Sequence, residues 1–487
     1  MKLLKDVIYG VGIEEVAGST NISVEHIAYD SRKVLRYSMF VATRGTLVDG
    51  HDYIDAAIKL GAGSIVCEDL PAELSQGVTY IQVKNSSKAL GLIAANFYDN
   101  PSEKLKLVGI TGTNGKTTSV TLLYDLFRLF GKKVGLISTV VNKIHNEVVE
   151  STHTTPNVLD LNELLNRMIE KGCEYCFMEV SSHAVHQDRI HGVQFSGGVF
   201  TNITRDHLDY HGTFDKYITA KKGFFDALPF GSFALTNLDQ THGETMVHDT
   251  KAKVLTYGLK NVADFKTKII ENRFDGLHLE VANKEVHIKL IGGFNAYNAT
   301  VAYAVAVQLG MDSLEVLAAL SRLEPPAGRF QQYNSKTGVI GIVDYAHTPD
   351  ALENVLQTIK NIRTGNEMVI TVVGCGGNRD KGKRPIMAEI AARLSDQVIL
   401  TSDNPRDEDP DAIIEDMKEG VSAQDFKKVL SIASRKEAIN TACALAHSGD
   451  ILLIAGKGHE TYQIVKGETL SFDDYKTLSE TLQNLSK

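Results

Sequence analysis

Residues 106–131, KLVGITGTNGKTTSVTLLYDLFRLFG, predict a strand, a glycine-rich turn and a helix in succession. The apolar run ends near Ile110, a loop of small residues follows over 112–115, and Lys116 opens a helix with apolar residues at helical spacing. Such a turn directs several backbone N–H groups and the helix dipole at one anion. The order predicts a nucleoside triphosphate site, with Lys116 as a cation for the outer phosphates and the Thr117 hydroxyl as a magnesium ligand.

The spacing of this turn differs from the common phosphate-loop pattern G-x-x-x-x-G-K-[ST], which would require a glycine at Ile110. Glycines stand at Gly109 and Gly112 instead. A plain tight turn before a helix is the alternative interpretation. The order of strand, GTNGKT and helix favours nucleotide binding over the plain turn. At the other end of the predicted helix, Gly131 stands where a C-terminal cap belongs.

The composition limits the classes of protein that the chain can belong to. Its 487 residues predict about two to four domains, because a single hydrophobic core stops growing at a smaller size. The formal charge of −9 argues against a general nucleic-acid binder and against a membrane-surface binder. Cys173 and Cys176 lie in a predicted strand and are interpreted as buried free thiols rather than zinc ligands. The expected location is the cytoplasm, without membrane insertion, since the chain shows neither a signal peptide nor a run of transmembrane length.

Alternating strand and helix patterns predict an α/β chain of three domains. We expect a small N-terminal α/β domain over 1–101, a central P-loop-type ATPase domain over 102–333, and a C-terminal Rossmann-like domain over 334–487. The predicted strands of the last two domains lie at 105–110, 134–138, 175–180, 197–203, 233–236, 339–344, 368–374, 397–401 and 450–455, with a β-hairpin within 264–291.

Polar residues follow several predicted strands of the central domain. Glu179 ends a buried strand beside the phosphate loop, where a carboxylate is well placed as a magnesium ligand; a satisfied buried carboxylate is the alternative. The run 202–212 contains more ionisable residues than packing explains. Hydroxyls within 153–156 precede a helix, and they would either cap it or hold a substrate phosphate. The pair Lys221 and Lys222, taken alone, is typical of a solvated helix face.

Four polar, glycine-rich motifs follow the predicted strands of the C-terminal domain. They lie at 344–349, 374–380, 403–406 and 456–460. The carboxyl ends of parallel strands meet at one edge of a sheet, and ligands of such sheets bind there. The four motifs therefore predict one site rather than four independent turns.

The motifs together resemble those of the Mur ligases of peptidoglycan synthesis, and the resemblance covers essentially the whole chain. In chain order they are GTNGKTT (112–118), MEVSSH (178–183), the polar run 202–211, GGFNAYN (292–298), DYAHTPD (344–350), GNRDKGKRP (377–385), DNPR (403–406) and GKGHE (456–460). The resemblance implies a three-domain, ATP-dependent, amide-bond-forming ligase that acts in cytoplasmic peptidoglycan precursor synthesis and uses two Mg²⁺ ions.

Within the family, the chain is similar to the ligase that adds meso-2,6-diaminopimelate to UDP-N-acetylmuramoyl-L-alanyl-D-glutamate. The resemblance implies that ATP phosphorylates the D-glutamate carboxylate and that an amine of the amino acid attacks the acyl phosphate. Two anions must approach each other in the first step, so cations are required on both. The implied partners are ATP, the UDP-linked dipeptide and meso-diaminopimelate, with no nucleic acid, and the expected state is a monomer.

The resemblance also implies a role for individual residues. The catalytic residues are Lys116, His207 and Lys221. The metal ligands are Thr117, Glu179, His207 and Lys221, the last as a carbamate. The ATP site comprises Gly112, Thr113, Asn114, Gly115, Lys116, Thr117, Thr118, Asn298, Arg329 and Asp344. The UDP-substrate site comprises Ser31, Thr46, Leu47, Val48, Thr154, Thr155, Ser181, Gln187 and Arg189. The amino-acid site comprises Arg379, Asp403, Asn404, Pro405, Arg406, Gly456 and Glu460.

We expect the protein to prefer diaminopimelate to L-lysine because of Arg406. The two amino acids differ by one distal carboxylate, which a guanidinium would bind with a fork of donors. Lysine would leave a buried Arg406 unpaired, at a cost on the order of 3–5 kcal/mol. The alternative is that Arg406 pairs at the surface with the acidic residues over 407–409.

Three other functions compete with this interpretation. The closest is the L-lysine-adding ligase of the same family. A folate-polyglutamating ligase shares the phosphate loop, but the N-terminal domain with its Asp30-Ser31-Arg32 motif argues against it. A GTPase is the third: Asn237 and Asp239 resemble the guanine-reading N-K-x-D motif, but Leu238 stands where lysine is required.

Overall fold

The computed structural model of the chain describes residues 1–45, 48–151 and 153–487. Its three large sheets have five, eleven and six strands, and helices connect many of the successive strands. The predicted α/β class and three-domain organisation are confirmed. The boundaries at 101/102 and 333/334 stay predictions.

The N-terminal unit is a five-stranded sheet with the order β2-β7-β6-β5-β4, in which β2 alone is antiparallel to its neighbour. Its elements are β1 (Lys2–Leu3), α1 (Leu4–Val7), β2 (Ile13–Ala17), β3 (Ser23–Val24), β4 (His26–Ala28), β5 (Ser38–Val41), α2 (Ile54–Lys59), β6 (Ala62–Cys67), β7 (Thr79–Val83) and α3 (Ser86–Phe97). Short 3₁₀ turns lie at Ser31–Lys33, Gly50–Tyr53 and Pro101–Lys104.

The central unit is an eleven-stranded sheet with the order β11-β10-β9-β12-β8-β13-β14-β15-β16-β17-β18. Its elements are β8 (Lys106–Thr111), α4 (Lys116–Leu129), β9 (Val134–Ile137), β10 (Asn142–Ile144), β11 (Glu147–Val149), α5 (Val158–Glu170), β12 (Tyr175–Glu179), α6 (Ser182–His186), β13 (Gly197–Phe200), α7 (Leu208–His211), α8 (Phe214–Asp226), β14 (Phe233–Asn237), α9 (Gly243–Val247), β15 (Lys253–Gly258), β16 (Phe265–Arg273), β17 (Gly276–Val281), β18 (Lys284–Ile288), α10 (Gly293–Gln308) and α11 (Ser313–Leu320). In this spatial order the strands β9, β12, β8, β13, β14, β15 and β16 are parallel. The strands β10 and β11 at one edge and β17 and β18 at the other pair antiparallel with their neighbours.

The C-terminal unit is a six-stranded sheet with the order β19-β20-β24-β21-β22-β23, parallel except for β19. Its elements are β19 (Gln331–Asn334), β20 (Ile340–Asp344), α12 (Pro349–Ile362), β21 (Val369–Cys375), α13 (Lys383–Leu394), β22 (Gln397–Ser402), α14 (Pro410–Lys418), β23 (Val429–Ser431), α15 (Arg435–Leu445), β24 (Ile451–Ala455), β25 (Tyr462–Val465), β26 (Glu468–Ser471) and α16 (Asp474–Asn484). The turn Phe426–Lys428 is a 3₁₀ helix, and β25 and β26 form a separate hairpin.

The helix α4 shows why the phosphate-loop stretch folds as its pattern indicates. Val120, Leu123 and Phe127 recur every three or four residues, and all three are fully buried in the core of the central sheet. The helix ends at Leu129, and Gly131 follows its C-cap with a φ of +71°, the left-handed conformation that glycine adopts without strain. Burial of this apolar face fixes the start of the helix, and therefore its free N–H groups, at the carboxyl end of β8.

The central and C-terminal units meet across the phosphate loop. The side-chain amide of Asn114 donates to Asp350 Oδ2 at 2.8 Å, which joins the loop to the start of α12. Phe294, at the start of α10, packs against the hydrophobic core of the C-terminal sheet. The carboxyl edges of the two sheets therefore face each other, with the phosphate loop between them.

Candidate active site

The phosphate loop runs from Gly112 to Gly115, and its glycines allow close approach of its surroundings. A Cβ on Gly112 would lie 1.9 Å from Thr201 Oγ1, so no side chain fits there. Gly115 has a φ of +87°, which favours glycine. The backbone N–H of Asn114 donates to Asn202 Oδ1 at 2.8 Å. The loop is thus anchored to the end of the neighbouring strand β13.

Lys116 begins α4 and folds back over the loop. Its Nζ donates to the carbonyl oxygens of Gly112 and Thr113, each at 2.8 Å. Desolvation lowers the pKa of its ammonium below the usual value, and the charges of Glu179 and Asp206 oppose that shift. The geometry places a cation beside the loop, where the outer phosphates of a nucleotide would lie.

Lys221 and Lys222 occupy opposite environments on α8. Lys221 is 1% exposed, and its Nζ donates to Gly112 O at 2.9 Å. Burial and the nearby Lys116 charge lower the pKa of Lys221 well below its usual value. Lys222 instead pairs with Asp226 and Asp249. Lys221, and not its neighbour, faces the phosphate loop, so the solvated-face interpretation is wrong for Lys221.

Glu179, at the end of β12, lies under the loop and is 1% exposed. Its two carboxylate oxygens accept from Thr139 N at 2.9 Å and from Thr139 Oγ1 at 3.2 Å. Thr139 Oγ1 also lies 3.0 Å from Thr154 Oγ1, and Thr155 Oγ1 donates to Glu179 O at 2.8 Å. Asn157 caps α5, so capping is not the role of Thr154 and Thr155. They are fixed at the end of β12 instead.

His207 opens the short helix α7 with a left-handed backbone, at a φ of +54°. Its ring lies 4.8 Å from that of His183, and its Nε2 lies 3.4 Å from Asp206 Oδ2. Desolvation lowers the pKa of the His207 imidazole, while the Asp206 charge acts in the opposite direction. The imidazole is therefore neutral near neutral pH, and a neutral ring nitrogen can bind a cation.

Arg329 reaches the phosphate loop from the segment that joins the two units. Its Nη2 donates to Thr117 Oγ1 at 3.0 Å, and its guanidinium lies 4.6 Å from the centre of the Tyr345 ring. Its Nε is buried and has no hydrogen-bond partner among the residues that the structure describes. The carboxylate of Asp344 accepts hydrogen bonds from the backbone N–H groups of Phe330 and Ala346. These bonds fix the segment that carries Arg329.

Asn298 contacts the other side of the loop from inside α10. Its Oδ1 accepts from Ser119 Oγ at 3.2 Å, and its Nδ2 donates to Asn295 Oδ1 at 2.8 Å. A Cβ on Gly115 would lie 2.6 Å from Asn298 Oδ1. Asn298 therefore packs on the phosphate loop and does not cap α10, whose N-cap is Gly292.

A cavity of about 450 Å³ collects these groups between the two sheets. The predicted site residues that line it are Gly112, Thr113, Asn114, Gly115, Lys116, Thr117, Thr118, Thr154, Glu179, Ser181, His207, Lys221, Asn298, Arg329 and Asp344. Sequence reasoning missed several further lining residues, among them Thr139, Asp206, Tyr217 and Asp350. Of these, Asp350 lies in the DYAHTPD motif, which could have identified it.

The residues predicted to hold the UDP-linked substrate are spread over two units. Arg189 donates to Thr155 O at 3.2 Å and to Gln187 Oε1 at 2.5 Å. Its guanidinium also interacts electrostatically with Tyr29 of the N-terminal unit. Ser31 begins a 3₁₀ turn that Asp30 caps, and it does not line the cavity at the phosphate loop. Val48 is 54% exposed. The predicted residues Thr46 and Leu47 lie outside the described residues.

The predicted amino-acid site lies at the carboxyl edge of the C-terminal sheet. Asn404 donates through Nδ2 to Glu460 Oε2 at 2.9 Å, which joins the DNPR and GKGHE motifs. Gly456 has a φ of +118°, and a Cβ there would lie 2.7 Å from Asp403 Oδ2. The structure therefore brings Asp403, Asn404, Gly456 and Glu460 together, as predicted for one site at this edge.

Arg406 adopts a left-handed backbone, with a φ of +53°, after the buried Pro405. Its Nη1 donates to Gly377 O at 2.8 Å, and the structure records no ion pair between Arg406 and residues 407–409, all of which are described. The surface-pairing alternative is therefore wrong. Arg406 is half-buried, so the expectation of a fully buried guanidinium is also wrong. Arg379 is exposed nearby.

The segment that carries Arg329 crosses the loop that carries Glu460. A Cβ on Gly328 would lie 2.1 Å from His459 N, and a Cβ on Gly458 would lie 2.7 Å from Gly328 O. Two glycines thus allow direct backbone contact between the nucleotide side and the amino-acid side of the site.

The structure argues against the GTPase alternative. Asp239 accepts through its carboxylate from the backbone N–H groups of Leu259, Lys260 and Asn261 and from the Tyr297 hydroxyl. Asn237 donates to Thr201 O inside the core. These side chains stabilise the sheet edge, and neither is oriented to read a base.

Three of the four predicted metal ligands have side-chain atoms that can bind Mg²⁺. A threonine hydroxyl, a carboxylate and a neutral imidazole line the cavity, from Thr117, Glu179 and His207. No group of three His, Cys, Asp or Glu side chains among the described residues could hold a metal ion. Mg²⁺ commonly takes one or two protein ligands and completes its shell with water and substrate phosphates, so this set is sufficient. An ammonium at Lys221 could not be a ligand.

Comparisons with known proteins identify the family. Three sequence models match the chain: the catalytic domain of the Mur ligase family over 23–98, the Mur ligase middle domain over 110–306, and the Mur ligase glutamate ligase domain over 328–458. The chain belongs to the Mur ligase family. It is 57% identical to a UDP-N-acetylmuramoyl-L-alanyl-D-glutamate–2,6-diaminopimelate ligase of Cytophaga hutchinsonii, over 99% of this chain and 100% of that one. A protein of the same name in Bacteroides fragilis is 55% identical over 98% of each chain.

Solved structures agree with the Mur ligase family assignment. A UDP-N-acetylmuramoyl-L-alanyl-D-glutamate–2,6-diaminopimelate ligase is 31% identical, with a TM-score of 0.72 over 100% of this chain and 99% of that one. A folylpolyglutamate synthase from Thermotoga maritima has the related fold, at 17% identity and a TM-score of 0.58 over 76% of this chain and 90% of that one. Within the described ranges, no helix of this Mur ligase has the length and apolar character needed to cross a membrane.

Proposed function

We propose that this protein joins meso-2,6-diaminopimelate to the D-glutamate of UDP-N-acetylmuramoyl-L-alanyl-D-glutamate, with ATP as co-substrate. One observation carries the proposal: a phosphate loop, two lysines and a carboxylate line one cavity, in a chain 57% identical over its length to a ligase of that name. We further propose, from the resemblance to the family, a location in the cytoplasm, a monomeric state and domain boundaries at 101/102 and 333/334.

The first step transfers the γ-phosphoryl group of ATP to an oxygen of the D-glutamate carboxylate. The new bond joins that oxygen to the γ-phosphorus, and ADP leaves with the bridging oxygen. Lys116 and the N–H groups of the phosphate loop stabilise charge on the phosphoryl oxygens. Arg329 adds a cation from the other side of the cavity, where its free Nε supports a role toward a polar ligand. When bound, Mg²⁺ supplies further charge neutralisation at the phosphates.

The second step forms the amide bond. The neutral amine of the amino acid attacks the acyl carbon, the C–O bond to the phosphoryl group breaks, and inorganic phosphate leaves while the former amine gives up one proton. Asp403 and Glu460 hold the substrate's ammonium group away from the reacting end, and Arg406 binds its distal carboxylate. This arrangement supports diaminopimelate over lysine, since lysine has no group for Arg406.

Lys221 acts in this scheme as a carbamate. Burial lowers the pKa of Lys221 well below its usual value, which favours the neutral amine, and a neutral Nζ is the form that attacks CO₂. The attack joins nitrogen to carbon and releases one proton, which leaves an anionic group in place of a cation. That anion fits beside Mg²⁺, which binds oxygen ligands and not ammonium groups.

The test is ADP release with purified protein. We expect turnover only when ATP, UDP-N-acetylmuramoyl-dipeptide and an amino acid are all present, with meso-diaminopimelate as the preferred amino acid. Product mass identifies the amide. Equal turnover with L-lysine would refute the substrate assignment, and turnover with a folate in place of the UDP-linked dipeptide would refute the proposal as a whole.

A further inference from the structure

Lys457, in the GKGHE motif, is a buried cation for which the scheme above has no role. Its side chain is 0% exposed. Its Nζ donates to Asn404 Oδ1 at 3.0 Å and to Glu460 Oε2 at 2.8 Å. Burial of an ammonium is costly unless it is paired and hydrogen-bonded, so these two acceptors determine where Nζ lies.

The first consequence concerns the orientation of Asn404. Its Oδ1 accepts from Lys457 Nζ and also from the backbone N–H of Ile464, at 3.0 Å. With two donors on Oδ1, the amide can turn only its NH₂ group toward Glu460. Lys457 therefore fixes the Asn404 amide in one of its two orientations.

The second consequence concerns Glu460. Its Oε2 accepts from both Lys457 and Asn404. Its Oε1 receives no hydrogen bond from the described part of the chain, and the Glu460 side chain is 14% exposed. One oxygen is thus held by the protein, and the other is directed to the open side of the pocket.

The third consequence concerns charge. Asp403 and Glu460 both contribute to the electrostatic environment of Arg435 and Tyr462, so the two carboxylates lie near each other. Lys457 neutralises one of the two. One carboxylate is left for an ammonium group of the ligand, and Arg406, which acts on the same Tyr462, is left for a carboxylate.

We propose that Lys457 is a positioning residue that orients Asn404 and Glu460 so that Glu460 Oε1 receives the ammonium of the incoming amino acid. The inference rests on the proposed function for the identity of that ligand. Lys457 touches no reacting atom in this role: it acts through its two neighbours.

The experiment replaces Lys457 with methionine, which keeps the length and removes the three donors. We expect the KM for the amino acid to rise at least about tenfold, as for a lost charge-assisted hydrogen bond. The KM values for ATP and for the UDP-linked substrate should stay within about twofold, since those sites hold their own cations. Lys476→Met on the exposed face of α16 is the matched control, because Lys476 is 71% exposed.

A double-mutant cycle separates positioning from general stability. If Lys457 acts through Glu460, then Lys457→Met in a Glu460→Gln background should raise the amino-acid KM by less than about twofold more. Independent multiplication of the two effects, or an equal rise of all three KM values, would overturn the inference. If Lys457→Met fails to fold by circular dichroism, Lys457→Gln replaces it; a folded Lys457→Gln protein with a wild-type KM also overturns the inference.

The measurement uses whichever amino acid the wild-type protein adds. Failure of the wild type to add diaminopimelate would refute the proposed substrate, while the ratio of KM values for the amino acid that it does add still decides the role of Lys457.

Discussion

Replacement of Arg406 by alanine tests the origin of amino-acid selectivity. The structure predicts a smaller free-energy preference for diaminopimelate over lysine than a fully buried ion pair at Arg406 would give. Arg406 is half-buried and already donates Nη1 to Gly377 O, so lysine as substrate leaves a partly solvated guanidinium rather than an orphaned one. The relevant quantity is a hydrogen bond to a charged group, worth about 1.5–3 kcal/mol. That range corresponds to a preference of about 10- to 150-fold for diaminopimelate over lysine.

The assay is kcat/KM for each amino acid, measured by ADP release at saturating ATP and UDP-linked dipeptide. Arg406→Ala should lose most of the preference, chiefly through a higher KM for diaminopimelate, and its kcat/KM for lysine should change little. Arg406→Lys keeps the charge but lacks the forked donors, so it should retain an intermediate preference. An Arg406→Ala protein that keeps the wild-type ratio would refute this role.

The remaining predictions concern the phosphate loop and one surface carboxylate. Lys116→Ala should lower the rate of ADP release by about 10²- to 10³-fold, the effect of a lost electrostatic stabiliser, as measured at saturating substrates. Lys221→Ala should be nearly inactive and regain part of its activity with a short-chain carboxylic acid, whereas Lys222→Ala should keep wild-type activity; intact mass in bicarbonate buffer should show the carbamate. The ion pair with Arg384 lowers the pKa of Glu408 to about 2, below its ordinary 4.5, so the stability it contributes is present above pH about 4.5 and lost as pH falls toward 2. Glu408→Gln should therefore remove part of the acid dependence of urea unfolding, followed by circular dichroism.

Each of these predictions has an outcome that would contradict it. Near-normal product formation by Lys116→Ala would reject the phosphate-loop assignment. A bare amine on Lys221 in an active enzyme would reject the carbamate. If Glu408→Gln and the exposed variant Glu73→Gln show the same acid dependence as the wild type, the ion pair contributes nothing measurable.

Most parallel strands were predictable because they are continuous apolar runs that end in polar, glycine-rich turns, but the interior parallel strand Lys253–Gly258, which begins with exposed residues, was missed. The predicted strand at 175–180 is observed as Tyr175–Glu179, and that at 450–455 as Ile451–Ala455. Strands at the sheet edges were missed. Glu147–Val149 is short and mostly exposed, and β16 forms a third strand beside the predicted hairpin. Such strands are defined by pairing with a neighbour, which local sequence does not show.

The site was predictable in its motifs and not in its contacts. GTNGKT and DYAHTPD identify the loops, but the bond between Asn114 and Asp350 joins residues 236 positions apart. The environment of Lys221 shows what the sequence could not predict. Two adjacent lysines are typical of a solvated helix face, and only the packing of α8 under Gly112 shows that one of them is buried. Burial depends on tertiary structure, which no local pattern contains.

The contact between Gly328 and the 458–459 backbone has a thermodynamic consequence. One segment carries Arg329 toward the nucleotide and the other carries Glu460 toward the amino acid, and their backbones are in contact, so we expect a shift of one segment to displace the other. Binding energies at the two places are then linked. If a non-hydrolysable ATP analogue lowers the Kd of diaminopimelate by some factor, diaminopimelate must lower the Kd of the analogue by the same factor. Calorimetric titration in both orders measures that factor, and a value of one would show that the contact transmits nothing.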